Sequence, residues 1–150
     1  MAILEQEFYD KVIEMGKKAV VEYKNNNFDT WEDYAEKGWE LFPEPKYNWN
    51  QAYNYAKMAF KNNFAQKRFE QSEKWLNRMI EDNNINHSYD GEIEFKIGMY
   101  KFETKALEDA YKKFREAVRQ SGNNHYRYFA DEDKKYLEFY KNQKKLEDKK

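Results

Sequence analysis

Apolar side chains recur along this chain at the spacing of helices rather than strands. In residues 5–24 the apolar positions follow one another at steps of four, three, four and four: Phe8, Val12, Met15, Ala19 and Tyr23. Because an α-helix turns once every 3.6 residues, these side chains share one face. Strand-type alternation does not persist over more than a few residues, so the pattern predicts an all-α fold.

The same spacing predicts further helices downstream. Thr30 resembles an N-cap with Asp33 three residues on, and its helix ends at Pro43, which cannot donate a backbone hydrogen bond. Gly122 is placed to end a later helix, and Asp131 to cap the last one. The predicted helices, six to seven in all, cover 5–24, about 31–42, 49–63 and 66–82, two segments within 97–117, and a segment after Asp131.

Two of these helix pairs resemble each other at a fixed distance. Shifting residues 98–117 back by 38 positions sets Ala110 against Ser72 and Phe114 against Leu76, among five matches of apolar or small character. A period of about 34–40 residues over paired helices is typical of helical-hairpin repeats. The sequence therefore predicts two copies of one unit, preceded by a helix pair with looser offsets.

Composition indicates what fills the core. Aromatic residues make up 19% of the chain, although the mean hydropathy is −1.26. Phe, Tyr and Trp must therefore supply much of the buried surface, and disorder is a poor interpretation, because disordered chains lack aromatic residues. A chain of 150 residues suits one domain.

Charge and cysteine content argue against several classes of protein. Acidic and basic residues nearly balance at a net charge of −1, so bulk charge gives no reason to bind nucleic acid or an anionic membrane. Cysteine is absent, which removes disulfides and thiolate metal sites. No apolar run approaches the roughly 20 residues of a membrane span, and the first residues lack the pattern of a signal peptide. These features predict a cytoplasmic protein.

The helix pair within 97–117 resembles the tetratricopeptide repeat. Gly98, Ala110, Phe114 and Ala117 stand where that repeat has a small, a small, a large aromatic and a small residue. The resemblance implies that Gly98 and Ala110 let two helices approach closely, while Phe114 fills the space to the neighbouring hairpin. It also implies antiparallel helix pairs stacked as a small right-handed superhelix. Lys101 replaces the consensus aromatic, and the final proline is missing.

A more specific resemblance covers residues 39–140. "WELFPEPKYNWNQAY", "IGMYKFETKALEDA" and "YFADEDKKYLEFY" follow in the order seen in small bacterial tetratricopeptide-like proteins. Many of those are encoded beside polymorphic or contact-dependent toxins and are regarded as immunity proteins. The resemblance implies a protein-binding module that blocks a cognate bacterial toxin, with a general adaptor or scaffold as the alternative. The segments "NHSYDGEIEFK" and "NNHYRY" depart from the pattern, which leaves the partner open.

Residues with catalytic or metal-binding chemistry are scattered. His87 and His125, the only histidines, fall in predicted loops without a second ligand or a nucleophile at suitable spacing. No Gly-rich phosphate loop is present. Carboxylate pairs such as Glu5 and Glu7 are inevitable among 28 acidic residues. The sequence therefore predicts no enzyme, metal, cofactor or small-molecule substrate.

Two loops carry candidate contact residues. In "PEPK" the prolines stop one helix and set the angle of the next, and Lys46 is the candidate for contact with a partner. In "NNHYRYF" Arg127 stands among aromatic residues, a combination that stacks single-stranded nucleic acid elsewhere. An RNA-binding helical protein is therefore the alternative from another class, although no basic stripe accompanies Arg127.

One face of the fifth helix is the main candidate for partner binding. By the tetratricopeptide resemblance, the concave groove is lined by positions that point away from the hairpin: Glu92, Phe95, Met99, Phe102 and Glu103. Apolar residues rimmed by acids are typical of a protein-binding patch. Together with Glu94, the acids would steer association with a basic toxin. The competing interpretation is that Phe95 and Phe102 pack inside the fold.

The predicted organisation is one helical-repeat domain over residues 1–141. The last helix would cap the stack, as repeat arrays require. Residues 142–150 form a charged tail with almost no apolar face beyond Leu146, and we expect this tail to fray. The sequence does not set the oligomeric state.

Overall fold

A computed structural model describes residues 4–86, 89–122 and 126–150. His87 and His125, the histidines predicted to lie in loops, are outside the described residues. Within these ranges the chain forms α-helices and no strand, which confirms the predicted all-α class. The helices are α1 (Gln6–Lys24), α2 (Phe28–Glu40), α3 (Asn50–Ala65), α4 (Phe69–Asn86), α5 (Glu92–Glu103), α6 (Leu107–Gln120), α7 (Tyr126–Phe129) and α8 (Lys134–Asp148), with a 3₁₀ turn at Lys46–Asn48.

The first six helices form three consecutive hairpins, α1/α2, α3/α4 and α5/α6. A three-residue turn joins each pair, and its middle residue has a left-handed backbone: Asn26, Lys67 and Lys105. In each turn the next amide donates five residues back to a helix carbonyl, at 2.9, 2.9 and 2.8 Å. This is the Schellman arrangement, which satisfies carbonyls at a helix end. The three hairpins therefore share one turn geometry.

The spacing of these turns agrees with the predicted repeat. Lys67 and Lys105 are 38 positions apart, as the shift of residues 98–117 requires, and Asn26 lies 41 positions before Lys67. Ser72 and Ala110, which the shift places together, are both fully buried. Ser72 and Ala110 therefore occupy equivalent buried positions in the second and third hairpins.

The first helices of the hairpins lie side by side in one layer. At one end the Leu4 amide donates to Gln51 Oε1 at 3.3 Å, and at the other the Tyr23 hydroxyl donates to the Asn62 carbonyl at 3.5 Å. Both bonds join residues about 40 to 47 positions apart, so α1 and α3 run parallel. Between these two bonds the helices are open to solvent.

The second helices form the other layer, joined by a buried polar cluster. Glu32 is 7% exposed and accepts hydrogen bonds from Trp75 Nε1 at 2.7 Å and from Asn63 Nδ2 at 3.0 Å. Lys74 Nζ lies 2.5 Å from the same carboxylate. The Trp75 ring meets the Trp39 ring edge-on at 5.6 Å. The joint between the first two hairpins thus combines aromatic packing with a satisfied buried charge.

Helices α7 and α8 cover the far end of the stack. The Phe129 ring lies 4.9 Å from Phe95 and 5.2 Å from Phe114, and the Tyr136 ring lies 5.2 Å from Phe102. Phe114 also contacts Gly98, since a Cβ added at Gly98 would meet its ring at 2.6 Å. Aromatic side chains therefore close this end, where a further repeat would otherwise pack.

Several helix ends differ from the sequence prediction. Asn27, not Thr30, precedes the first residue of α2, because the three-residue turn ends there. Asp133, not Asp131, caps α8, and its carboxylate accepts from the Lys135 amide at 2.9 Å. The tail expected to fray is helical as far as Asp148, and Glu147 pairs with Arg115 at 2.8 Å.

Candidate functional site

The structure buries the apolar centre of the predicted binding face. Phe95 and Met99 are 1% and 2% exposed, and the rings of Tyr128 and Phe129 lie within 5.6 Å of Phe95. The prediction that both residues line an open surface is wrong, because both are buried and α7 packs over Phe95. Phe102 is half-buried between Tyr136 and Phe139 of α8.

The predicted acidic rim is neutralised inside the protein. Glu92 accepts from the Tyr53 hydroxyl at 2.7 Å and pairs with Lys57 at 3.1 Å. Burial opposes ionisation of Glu92, but these two hydrogen bonds outweigh it and hold its pKa below the usual value. Glu94 pairs with Lys113 at 3.0 Å. The acids of α5 therefore offer little free negative charge to a basic partner.

Glu103 and Lys46 also have partners within the chain. Glu103 pairs with Lys135 at 2.6 Å and accepts from the Tyr136 hydroxyl at 2.7 Å, which keeps its pKa low against the opposing effect of burial. Lys46 Nζ donates to the Phe42 carbonyl at 2.9 Å. Lys46 also pairs with Glu44 at 3.3 Å, so both of its contacts lie within the turn that follows α2.

The residues that suggested RNA binding are engaged with the protein. Arg127 lies 3.7 Å from Asp90, and its guanidinium stacks on the Tyr128 ring at 5.2 Å. The Tyr128 hydroxyl donates to the Asp90 carbonyl at 2.7 Å. The pair fastens the start of α5 to α7, and it does not present an open stacking surface.

An open surface with an apolar lining lies at the other end of the molecule, between α1 and α3. We call it the α1–α3 groove, and its cavity volume is about 480 Å³. Ile13, Val20 and Met58 are 39%, 47% and 42% exposed along its walls. Its lining comes from three helices: Tyr9, Val12, Ile13, Gly16, Lys17, Ala19 and Val20 of α1, Trp31 and Ala35 of α2, and Gln51, Asn54, Tyr55, Met58 and Asn62 of α3.

The floor of the groove is rigidly packed. Trp31 and Ala35 are each 2% exposed, and the Tyr55 hydroxyl donates to the Ala35 carbonyl at 2.5 Å. Gly16 leaves a gap in the α1 wall, since a Cβ built there meets nothing within 4 Å. The groove is therefore a preformed depression whose walls, not its floor, expose apolar side chains.

Charge around the groove has one sign. Among the described residues, Lys17 is the only charged one that lines it. A second depression shares Asn54, Met58 and Asn62 with the groove and adds Lys57 and Lys61. No Asp or Glu lines either depression in the described part of the chain.

The predicted face and the groove occupy equivalent positions in different hairpins. Asn26 and Lys105, the matching turn residues, are 79 positions apart. A shift of 79 positions places Glu92, Phe95 and Met99 of α5 on Ile13, Gly16 and Val20 of α1, in that order. All three α1 residues line the groove. The sequence shows glycine at position 16 where α5 has Phe95, but it does not show that a later helix, α7, covers the α5 face.

Other chemistry is sparse in the described residues. No group of three or more His, Cys, Asp or Glu side chains there is arranged to hold a metal ion. Among the helices of that part of the chain, none has both the length and the apolar character to cross a membrane.

The chain matches no protein-family model, no curated protein and no solved structure. The structure defines its class. It is an all-α protein of three helical hairpins, with two further helices covering one end and the α1–α3 groove at the other.

Proposed function

We propose that this chain is a non-enzymatic protein-binding module, and most specifically an immunity protein that binds and blocks a cognate bacterial toxin. The observation that carries the proposal is the α1–α3 groove, where Ile13, Val20 and Met58 stay exposed beside a buried floor. Exposed apolar depressions of this kind typically bind proteins. The toxin as partner comes from the resemblance over residues 39–140.

Inhibition in this proposal is steric. The groove presents aliphatic side chains, amides and lysines, and no carboxylate or histidine in the described residues lines it as an acid or base. A toxin segment seated there would place the body of this protein over the toxin's active site. The scaffold beneath the groove is rigid, which suits a binding surface that forms before its partner arrives.

Growth rescue tests the proposal. The chain is co-expressed with the toxin domain encoded beside it, and rescue of growth with co-purification of the two proteins is the expected result. Val20→Asp, which places a charge in the groove, should abolish rescue, whereas Val21→Asp should not. Val21 is the matched control because it is 56% exposed on the same helix but does not line the groove.

The general adaptor is the second candidate, and the same groove supports it. If the neighbouring frame encodes no toxin, or its product kills cells despite stable co-expression, the immunity assignment is overturned. Binding of another protein that Val20→Asp abolishes and Val21→Asp retains would then favour the adaptor.

A further inference from the structure

We infer that the α1–α3 groove binds an amphipathic helix of its partner, with an apolar stripe flanked by Asp and Glu side chains. The inference deepens the proposed function and rests on it, because it names the chemistry of the segment that enters the groove. It also reverses the expectation of a basic partner, since the acids that suggested one are paired inside the protein.

The charges next to the groove favour an acidic segment. The chain carries 28 acidic and 27 basic residues, yet the side chains lining the two joined depressions include three lysines and no acid. Asp10 and Glu14 lie on the same helix as Lys17 but line neither depression. A face of one sign within a balanced chain selects partners of the opposite sign.

Two lysines of the second depression act on a third, Lys96 of α5, which lines neither depression. Lys57, Lys61 and Lys96 lie close enough that both Lys57 and Lys61 disfavour the charge on Lys96, whose pKa is lowered first by burial and then by these neighbours. Glu92 compensates Lys57 at 3.1 Å, and Glu132 compensates Lys96 at 3.7 Å. Lys61 is exposed and has no acid within 4 Å among the described residues, so it is available to a carboxylate of a partner.

The shape of the groove fits a helix. Ile13, Gly16 and Val20 follow one another at steps of three and four along α1, over about two turns. A helix laid against such a row inserts side chains at matching steps of three, four and seven. The open space over Gly16 receives one of them between Ile13 and Val20.

Protein is a better occupant than nucleic acid. The most exposed apolar groups of the groove are the side chains of Ile13, Val20 and Met58, which offer no ring face for a base to stack on, and the two tyrosines of the lining, Tyr9 and Tyr55, are half-buried. The Trp31 ring is 2% exposed. Arginine, which dominates bidentate phosphate recognition, is absent from the lining.

Two synthetic peptides test the inference with the full-length protein. Both have about 18 residues, enough to populate a helix, and both carry Leu at helical spacing. One has Glu at the flanking positions and the other has Lys. Fluorescence anisotropy should show the Glu peptide binding at least about tenfold more tightly, with a preference that shrinks as salt rises from about 0.05 to about 0.5 M.

Neighbouring residues supply matched variants. Lys17→Glu combined with Lys61→Glu should remove the preference for the Glu peptide, while Lys18→Glu should leave it, because Lys18 lines neither depression. Gly16→Leu should weaken the Glu peptide by about tenfold or more by filling the gap in the α1 wall. Helical circular dichroism should be unchanged in every variant, which separates lost binding from lost folding.

The outcomes separate this inference from the proposed function. Equal binding of both peptides, abolished by Val20→Asp, overturns the acidic preference and leaves the groove as the binding surface. Binding of neither peptide overturns the inference, and growth rescue then decides the proposed function alone. Groove-dependent binding of oligo-uridine RNA, or a dimer that Val20→Asp dissociates, replaces the helix with nucleic acid or with a second copy of this chain.

Discussion

At the scale of single residues, two glycines on first helices of hairpins have opposite surroundings. A Cβ at Gly16 meets nothing within 4 Å, whereas a Cβ at Gly98 lies 2.6 Å from the fully buried Phe114 ring. Because alanine favours a helix over glycine, we expect Gly16→Ala to raise the free energy of unfolding by up to about 1 kcal/mol. Gly98→Ala should lower it by about 2 kcal/mol through overpacking.

Urea denaturation of both variants measures this contrast. The sign is the decisive quantity, since helix propensity alone predicts stabilisation at both positions. A stabilising Gly98→Ala would contradict the close approach of α5 and α6. A destabilising Gly16→Ala would contradict the open space that the groove provides.

Asp82 is a second residue whose surroundings predict a measurable effect. It is 3% exposed, and its Oδ1 accepts from Asn86 Nδ2 at 2.9 Å. Oδ2 has no hydrogen-bond partner among the described residues. Burial raises the pKa of Asp82 above its ordinary value of 3.8, and the bond from Asn86 only partly opposes this.

The raised pKa fixes the sign of a pH effect. At low pH the carboxyl is protonated in both folded and unfolded chains, so its ionisation carries no penalty. As pH rises through the folded-state pKa, the folded chain is destabilised relative to the unfolded one. The free energy of unfolding of Asp82→Asn relative to wild type should therefore increase from about pH 3 to about pH 7. A difference that is constant across this range in chemical denaturation would contradict the argument.

At the scale of elements, the two parts of the C-terminal segment contribute unequally. A chain that ends after residue 141 loses the exposed Leu146 and the Arg115–Glu147 pair. Together these contribute less than about 1 kcal/mol to the free energy of unfolding. Chain ending after residue 122 also loses Phe129 and Tyr136. This deletion exposes Phe95 and Phe114 to solvent, which should lower the free energy of unfolding by about 2–3 kcal/mol for each ring.

Thermal unfolding of the two truncated chains tests this ranking. The shorter deletion should unfold within a few degrees of the full chain, and the longer one should aggregate or unfold far below it. Equal stability of the two chains would show that α7 and α8 do not close the stack.

The sequence predicts α1 to α6 and α8, misses α7, which it places in a loop, and predicts the helix ends less well. Helical spacing locates α1 to α6 because each buries one stripe of side chains, and the 38-residue shift locates the second and third turns. Thr30 and Asp131 mislead, since both have the chemistry of a cap but lie two or three positions from the actual one. Asparagine and lysine in left-handed turns give a weaker signal than glycine would.

At the scale of the whole molecule, the exposed apolar face lies in a different hairpin from the one that the sequence predicted. Equivalent positions occur on the first helix of each hairpin. Whether those positions are exposed depends on the helices that pack next to them. Phe95 is covered by α7, while Gly16 faces solvent, and those contacts join residues far apart in sequence. The apolar spacing of a helix identifies which residues share a face. It does not show whether a helix later in the chain covers that face.

The three-hairpin arrangement also predicts which helices a destabilising substitution affects. Glu32 links the first hairpin to the second through Trp75, Asn63 and Lys74. Glu32→Ala leaves two buried donors without their acceptor and should lower the free energy of unfolding by about 3 kcal/mol. Because units in a hairpin array contact mainly their neighbours, hydrogen exchange measured by mass spectrometry should accelerate in α1 and α2 more than in α5 and α6.

The control for this lesion is Glu116→Ala, which removes a partly exposed carboxylate that pairs with Arg119 on α6. It should leave exchange in α1 and α2 unchanged, because it touches neither the first hairpin nor the buried joint. Uniform acceleration across all helices in Glu32→Ala would instead mean that the stack unfolds as one cooperative body. The α1–α3 groove would then depend on the stability of the whole stack, whereas selective acceleration means that its wall can loosen while α5 to α8 stay folded.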